Sequence, residues 1–362
     1  YLEGWVRHDQ VEILSKAIED AVDIFDLEIV DPGEGDNPPT ALQNGKFVSQ
    51  FESITDMFAI PNYDGFDPNP VMSPWYWIIF GMMMGDVGYG LVMILLFGFL
   101  IKAKRPKGDA LKMMKVFMYS GVTTMFWGAL FGSYFGFEIF PILFVPMNEP
   151  LSMLILSLGI GFLHILTGVI TKAYINIKNK NYMDAICDNL SWVAILVGLI
   201  LALADMLPDI GIPPIIIKII SSLGLVLILT GVLLILVFGG RNKPSIVGKI
   251  TGGATSLYGA TGYMSDILSY SRILALSLST AVISMVMNML AGMLQTNIIG
   301  IVLSFVVYVF GHIFNIAMGL LSSYVHDGRL QYIEFYGKFY EGGGKRFTPL
   351  SYKLKYIDQV QK

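Results

Sequence analysis

From Pro74 onward the chain alternates between long apolar runs and short polar stretches. The runs are Pro74–Ile101, Leu111–Phe135, Pro150–Tyr174, Ala185–Met206, Pro213–Phe238, Ile246–Leu294 and Asn297–Val325. Several exceed the roughly 18 residues that mark a membrane-spanning helix. Residues 1–60 read differently. Tyr1 to Val6 predicts a strand, Asp9 to Asp23 a helix and Ile24 to Val30 a second strand. The run from Asp31 to Pro39 is a turn-rich linker, and Phe47 to Phe58 has the spacing of a short amphipathic helix. The expected fold is mainly α: a polytopic membrane helix bundle carrying a small α/β soluble remnant at its N-terminal end. Three regions are expected: a membrane-proximal soluble part over 1–66, a transmembrane domain over 67–345, and a C-terminal tail over 346–362.

Charge orients this pattern. Lys102, Lys104, Arg105, Lys107, Lys112 and Lys115 crowd one inter-run stretch, and Lys172, Lys178 and Lys180 the next. Arg241, Lys243 and Lys249 follow, then Lys338, Lys345 and Arg346. The alternate stretches at Glu138–Glu149, Pro208–Pro213 and Ala291–Asn297 hold no Lys or Arg. Such sorting follows the positive-inside rule and assigns the basic loops to the cytoplasm. A single crossing by Pro74–Ile101 would then put the most basic loop outside. The run is therefore expected to turn back at Gly85-Asp86-Val87-Gly88-Tyr89-Gly90, where glycine tolerates the required dihedrals. About eight crossings result, with both termini cytoplasmic and the cell membrane as the location.

Composition agrees and excludes other classes. Apolar residues make up 54% of the 362 and charged ones 14%, where soluble domains carry about a quarter charged residues. Mean hydropathy is +0.62. Residues 1–60 hold 13 acidic and 3 basic side chains, which argues against nucleic-acid binding. The lone Cys187 excludes a disulfide framework. His8, His164, His312 and His326 are too far apart for a zinc motif, so no metal site or cofactor is expected. There is no phosphate-cradling Gly-rich loop with Lys-Ser/Thr, and the chain is not expected to bind ATP itself.

Arg272 is the residue most in need of explanation, because it lies well inside the Ile246–Leu294 run. A guanidinium near the bilayer centre costs about 2.5–3.5 kcal/mol on insertion scales. Arginine stays protonated, so it cannot relay a proton; it can attract a carboxylate and displace that group's cation. The structural alternative is an internal salt bridge, for which Asp266 is the nearest candidate, though six positions earlier and poorly aligned on a helix face. Ser265, Ser269, Ala275, Ser277 and Ser279 permit close approach of another helix or simply pack within the bundle. A second cluster, Asn315, His326, Asp327, Arg329 and Glu334, ends the last apolar run. It reads either as a polar path or as snorkelling anchors. Asp86 either joins an ion path or bonds the exposed amides of the turn.

Four stretches resemble the large membrane stator subunit, subunit a or subunit I, of rotary V-type and A-type ATPases. They are Gly4-Trp-Val6, Phe80-Gly-Met-Met-Met-Gly-Asp-Val-Gly-Tyr-Gly90, Leu268-Ser-Tyr-Ser-Arg-Ile-Leu-Ala-Leu-Ser277 and the run from Arg329 to Gly344, which ends Glu-Gly-Gly-Gly. The glycine tail is similar to the prokaryotic branch. The resemblance implies two long tilted C-terminal helices beside a rotor ring of small proteolipid subunits that carry ion-binding carboxylates. It also implies that H⁺ or Na⁺ is transported through two half-channels, while a soluble ATPase head and central stalk handle ATP elsewhere. Arg272 matches the family's essential arginine and Arg329 the second one. His326 matches a position that varies between His and Gln, and Glu334 an acid near the cytoplasmic entrance. Some relatives carry a Glu about four turns before the essential arginine. Here Ser256-Leu-Tyr-Gly-Ala-Thr-Gly262 has no carboxylate, so the outer path is expected to use hydroxyls or Asp266. The family's soluble half meets peripheral stalk subunits, and residues 1–60 are expected to be only its membrane-proximal end. Two other readings stay open: a secondary transporter binding an anionic substrate at Arg272, and a passive membrane scaffold.

Overall fold

Side chains that cannot be left in water set most of this architecture. In the computed structural model, which describes residues 2–33, 35–202, 213–241 and 246–349, six helices are long and apolar enough to cross a membrane. The protein is thus a polytopic membrane protein. Residues 203–212, including Met206 and most of the Pro208–Pro213 loop, lie outside the described residues, as do Lys243 and 350–362 of the tail. So does the side chain of Lys249.

The chain divides into two units, Tyr1–Asn69 with Tyr340–Lys362, and Pro70–Phe339. The first holds α1 (Val11–Ala21) and α2 (Val48–Phe58). Helix α2 buries Phe51 and Ile54, and Thr55 Oγ1 donates to Asn69 Oδ1 at 2.6 Å. Asn44 ties this region together by donating to Glu52 (3.0 Å) and Asp67 (2.8 Å). Tyr340 Oη donates to Ala59 O at 2.7 Å, and isolated bridges join Thr40 to Arg346 and Pro61 to Gly342. The expected strands at the N-terminal end and over Ile24–Val30 do not form. A strand needs a neighbouring edge for its amides, and none pairs there among the described residues; Ile24, Ile29 and Val30 stay exposed. This unit is helical with irregular connections, not α/β.

The second unit opens with α3 (Asn69–Met84), α4 (Val87–Lys104) and α5 (Asp109–Phe131). Contacts along α5 fix their directions. Going up α3, Gly81 meets Thr123 and Gly85 meets Phe131, whereas along α4 Gly88 meets Phe135, Gly90 meets Gly121 and Met125, and Gly98 meets Met118. Helix α3 therefore runs parallel to α5 and α4 antiparallel, so the chain reverses at Gly85–Asp86, where Gly85 has φ +39°. Trp77 Nε1 donates to Tyr119 O (2.7 Å) and Trp127 Nε1 to Ile78 O (3.1 Å), locking α3 on α5. A short hairpin, β1 (Ser133–Tyr134) and β2 (Phe137–Glu138), caps this end.

Helix α6 (Pro150–Lys178) follows, then α7 (Tyr182–Asp184), a π turn over Ala185–Leu190, α8 (Ser191–Ala202) and α9 (Pro214–Phe238). Arg241, just past α9, pairs with Asp184 and with Asp188 (2.6 Å), and the Asp188 hydrogen bond raises its guanidinium further above its ordinary value. Three helical stretches come next: α10 (Ile246–Tyr258), α11 (Ala260–Ser269) and α12 (Ser271–Met293). Then α13 (Ile298–Arg329) runs on through a π turn, Leu330–Phe335, into α14 (Tyr336–Phe339). The apolar stretches Thr251–Met293 and Ile298–Phe339 hold 43 and 42 residues. At about 1.5 Å per residue each far exceeds a hydrocarbon core of roughly 30 Å, so neither can cross it upright and end at its edges. Of the eight expected crossings, six meet the length and apolarity of a span. The 16-residue α3 is short, and α5 carries Asp109, Lys112 and Lys115 at its start. The core gathers Ile79, Met82, Met83, Phe131, Ile165 and Tyr270.

Glycine is needed where α5 crosses the hairpin. A Cβ on Gly128 would sit 2.3 Å from Val87 N and 2.5 Å from the Asp86 carbonyl carbon, both backbone. Gly128→Leu is expected to lower the thermal unfolding midpoint by the equivalent of about 1–3 kcal/mol or more, since backbone must move. Gly159→Ala in α6, with open space around it, should be neutral or mildly stabilising by the same measurement.

Candidate functional site

Arg272 is the second residue of α12, and its position is set by the residue before that helix. At Tyr270 the chain tightens: its N–H donates to Ile267 O (3.1 Å), and its carbonyl accepts from Ile273 N (2.9 Å). The ring is fully buried, its hydroxyl meets His164 Nδ1 at 2.8 Å, and His164 stacks on Phe335 at 4.2 Å between centroids. A Cβ on Gly161 of α6 would lie 2.2 Å from the Tyr270 ring, so only glycine admits this anchor. His164 is fully buried in it, with Nε2 lacking a partner.

The guanidinium held this way is half-buried, and its Nη1 is buried with no hydrogen-bond partner. Arg272 makes no ion pair among the described residues. Its place in the first turn of α12 adds cost, because the helix N-terminus is itself positive. Arg329, exposed at the end of α13, lies within electrostatic range. Glu334 sits in the π turn after it. Its side chain is buried beside Ser269 and within range of both arginines, with Oε2 lacking a partner. His326 is half-buried next to the same two charges, and its Nδ1 also lacks a partner. Of the sequence-predicted site residues, Arg272, Arg329, Glu334, His326 and Ser269 are brought together.

The others lie elsewhere. Asp266 pairs with Lys338, whose ammonium also sits 4.2 Å from the centre of the Tyr263 ring. It is therefore not the counter-ion of Arg272. Ser265 is exposed, and its carbonyl accepts from Ser269 Oγ at 3.1 Å. Asn315 is buried deep in α13 and donates to Tyr89 Oη and Thr280 O, both at 2.9 Å. Asp86 caps α4 by accepting from Tyr89 N (3.0 Å). It also accepts from Ser133 Oγ (2.6 Å) and from the amides of Phe135 and Gly136 (both 3.0 Å). Four donors on one carboxylate account for its burial, the structural of its two readings.

Sequence reading assigns no role to a second set: Tyr89, Asn288, His312 and Gln331. Their signal is a stripe of polar and small residues. Buried positions on α12 include Ser277, Thr280, Ser284 and Asn288; on α13 they include Ser304, Gly311, Asn315, Gly319, Ser323 and Asp327. Spacings of three and four put each set on one face, and the two helices pack there. The opposite face of α12 exposes the small residues Ser271, Ala275 and Ser279. No group of three His, Cys, Asp or Glu able to hold a metal occurs among the described residues.

The hairpin at Asp86 and the helices bearing both arginines fall within residues 1–148 and 260–352, which match the model of the V-type ATPase 116kDa subunit family. The chain belongs to that family. It is 34% identical to the A-type ATP synthase subunit I of Pyrococcus horikoshii over 97% of this chain and 54% of that protein. The A-type ATP synthase subunit I of Methanocaldococcus jannaschii is 29% identical over 98% and 55%. The V-type ATP synthase subunit I of Borreliella burgdorferi is 27% identical over 92% and 57%. The chain spans about half the length of these family members.

Asp86→Asn keeps an acceptor for Tyr89 and Phe135 but turns an amide NH₂ toward the Gly136 N–H. It should cost about 1–3 kcal/mol, read as a lowered thermal unfolding midpoint, and Asp86→Ala should lower it further. Unchanged midpoints in both variants would remove Asp86 as the anchor of the hairpin.

Proposed function

We propose that this chain is the stator subunit of a rotary V/A-type ATPase, carrying two ion half-channels and coupling H⁺ or Na⁺ translocation to rotation of a proteolipid ring. The observation that carries this reading is Arg272, a charge inside an apolar helix with no ion pair in its own described residues. A low-dielectric site makes an unpartnered charge costly, and a counter-charge arriving from outside relieves that cost. The small exposed face of α12 leaves room for another helix, and a ring carboxylate passing there supplies the missing acceptor. Arg272 then strips the bound ion from that carboxylate and keeps the two half-channels apart. Arg329 adds a second positive charge on the same path. Glu334 and His326, each with a buried unpartnered atom, form the cytoplasmic end of one half-channel. Asp266 and Lys338 act as a closed pair beside that path rather than as ion carriers.

The remaining features follow from the same reading. Eight crossings, counting α3 and α5 beside the six apolar spans, put both termini in the cytoplasm of a cell-membrane complex. The first unit is the membrane-proximal end of the soluble part that meets the peripheral stalks, and the soluble ATPase head and central stalk belong to the same complex. In reconstituted vesicles, Arg272→Ala is expected to abolish ATP-driven ion uptake while the complex still assembles. Wild-type uptake by that variant would refute the assignment.

A further inference from the structure

A cavity of about 40 Å³, room for one or two waters, lies between the β1–β2 hairpin and the polar face of α12, on the side whose loops lack Lys and Arg. Glu138 stands at its exposed rim, and Asp86, Ser133, Thr280 and Ser284 line its depth. Behind Ser284 runs a chain of half-buried and buried hydrogen bonds whose directions are fixed from its two ends. Asn288 Nδ2 donates to the carbonyl of Phe135 at 2.9 Å, which leaves its Oδ1 as an acceptor. His312 Nε2, 3.0 Å away, must therefore carry a proton. In the neutral imidazole Nδ1 is then the acceptor, and it faces Tyr89 Oη at 2.9 Å, so the phenol donates. The Tyr89 oxygen in turn accepts from Asn315, whose Nδ2 also reaches the carbonyl of Thr280. Ser284 lies beside the Tyr89 hydroxyl on the cavity side.

We infer that His312, reached through Tyr89, is a proton-holding site behind the Ser284 wall of this cavity, serving the half-channel that opens on the basic-poor side. The inference rests on the rotary-stator reading above. A proton arriving from cavity water adds to the Tyr89 oxygen on the Ser284 side, while the phenol's original proton passes to His312 Nδ1. One O–H bond forms, one breaks and one N–H bond forms, giving a neutral phenol and an imidazolium; the reverse steps return the proton. Both states keep every link of the relay hydrogen-bonded. In the charged state Nδ1–H donates to Tyr89, Tyr89 donates to Ser284, and the Asn288 and Asn315 bonds are unchanged. The titratable groups facing the imidazole are Tyr89 and Asp86 from the start of α4, and Tyr308, stacked on it from its own helix; α12 contributes only the neutral Asn288.

The test uses the whole complex in vesicles, measuring ATP-driven ion movement while pH is varied only on the side of the basic-poor loops. His312→Gln and Tyr89→Phe are each expected to slow transport by about a hundredfold, the low end for positioned proton transfer, and to flatten its dependence on that pH. Arg272→Ala is run alongside. If it transports normally, the stator reading has failed. If it is silent while His312→Gln and Tyr89→Phe match the wild type, the proton site has failed and the stator reading stands. Variants that are slowed but keep the wild-type pH profile would reduce the chain to scaffolding and also overturn the proposal. Should His312→Gln not assemble, Tyr89→Phe, which removes one hydroxyl from a buried ring, decides alone.

Discussion

An unneutralised guanidinium in a low-dielectric setting is the constraint around which this fold is organised. The positive charge of Arg272 cannot be titrated away, and its own described chain offers no acid to cancel it. The surrounding structure instead holds it still. Tyr270, His164 and Phe335 form a buried brace one residue before the helix that bears it, and Gly161 opens the space the brace fills. Rigid presentation of an expensive charge makes physical sense when its stabilising partner comes from elsewhere. The acids nearby are arranged accordingly: Asp266 is occupied by Lys338 and Asp86 by four hairpin donors. Among the described residues Glu334 remains close, buried but not paired with it.

Two kinds of polar residue thus share the apolar bundle. One kind holds backbone in place. Asp86 stitches the break between α3 and α4 to the β-hairpin, and Asn288 ties α12 to the same hairpin through Phe135. The other kind, which includes Arg272, His326, Asp327, Gln331, Glu334 and the Oδ1 of Asn315, keeps unused hydrogen-bonding capacity in a place where such capacity is costly. Unused donors and acceptors distinguish the two better than residue type does, since both kinds include acids and amides.

Much of this was legible beforehand. The apolar runs, the sorting of Lys and Arg between loops, and the glycine-bounded Asp86 turn are local patterns, and the reversal at that turn appears in the packing of α3 and α4 on α5. Arg272 announced itself because a charge within an apolar run is rare. What could not be read were pairings set by tertiary packing. Asp266 and Lys338 lie 72 positions apart, and Tyr89 and His312 lie 223 apart. The strands expected near the N-terminal end failed for a related reason: alternation predicts a strand only if an edge is available to receive it. His312 was set aside as one of four scattered histidines. Its i, i+3 relation to Asn315, within a stripe of small and polar positions on α13, was the overlooked sign.

The π turn after Arg329 has a geometric result of its own. In an uninterrupted α-helix, residues five apart point roughly 140° away from one another. Over Leu330–Phe335 the bonding pattern widens to i→i+5, which stacks the fifth residue nearly above the first. The extra residue therefore resets the angular phase of the helix, and Glu334 lies within electrostatic range of Arg329. One inserted amino acid, rather than a bend or a loop, lets an acid and a base share a single wall.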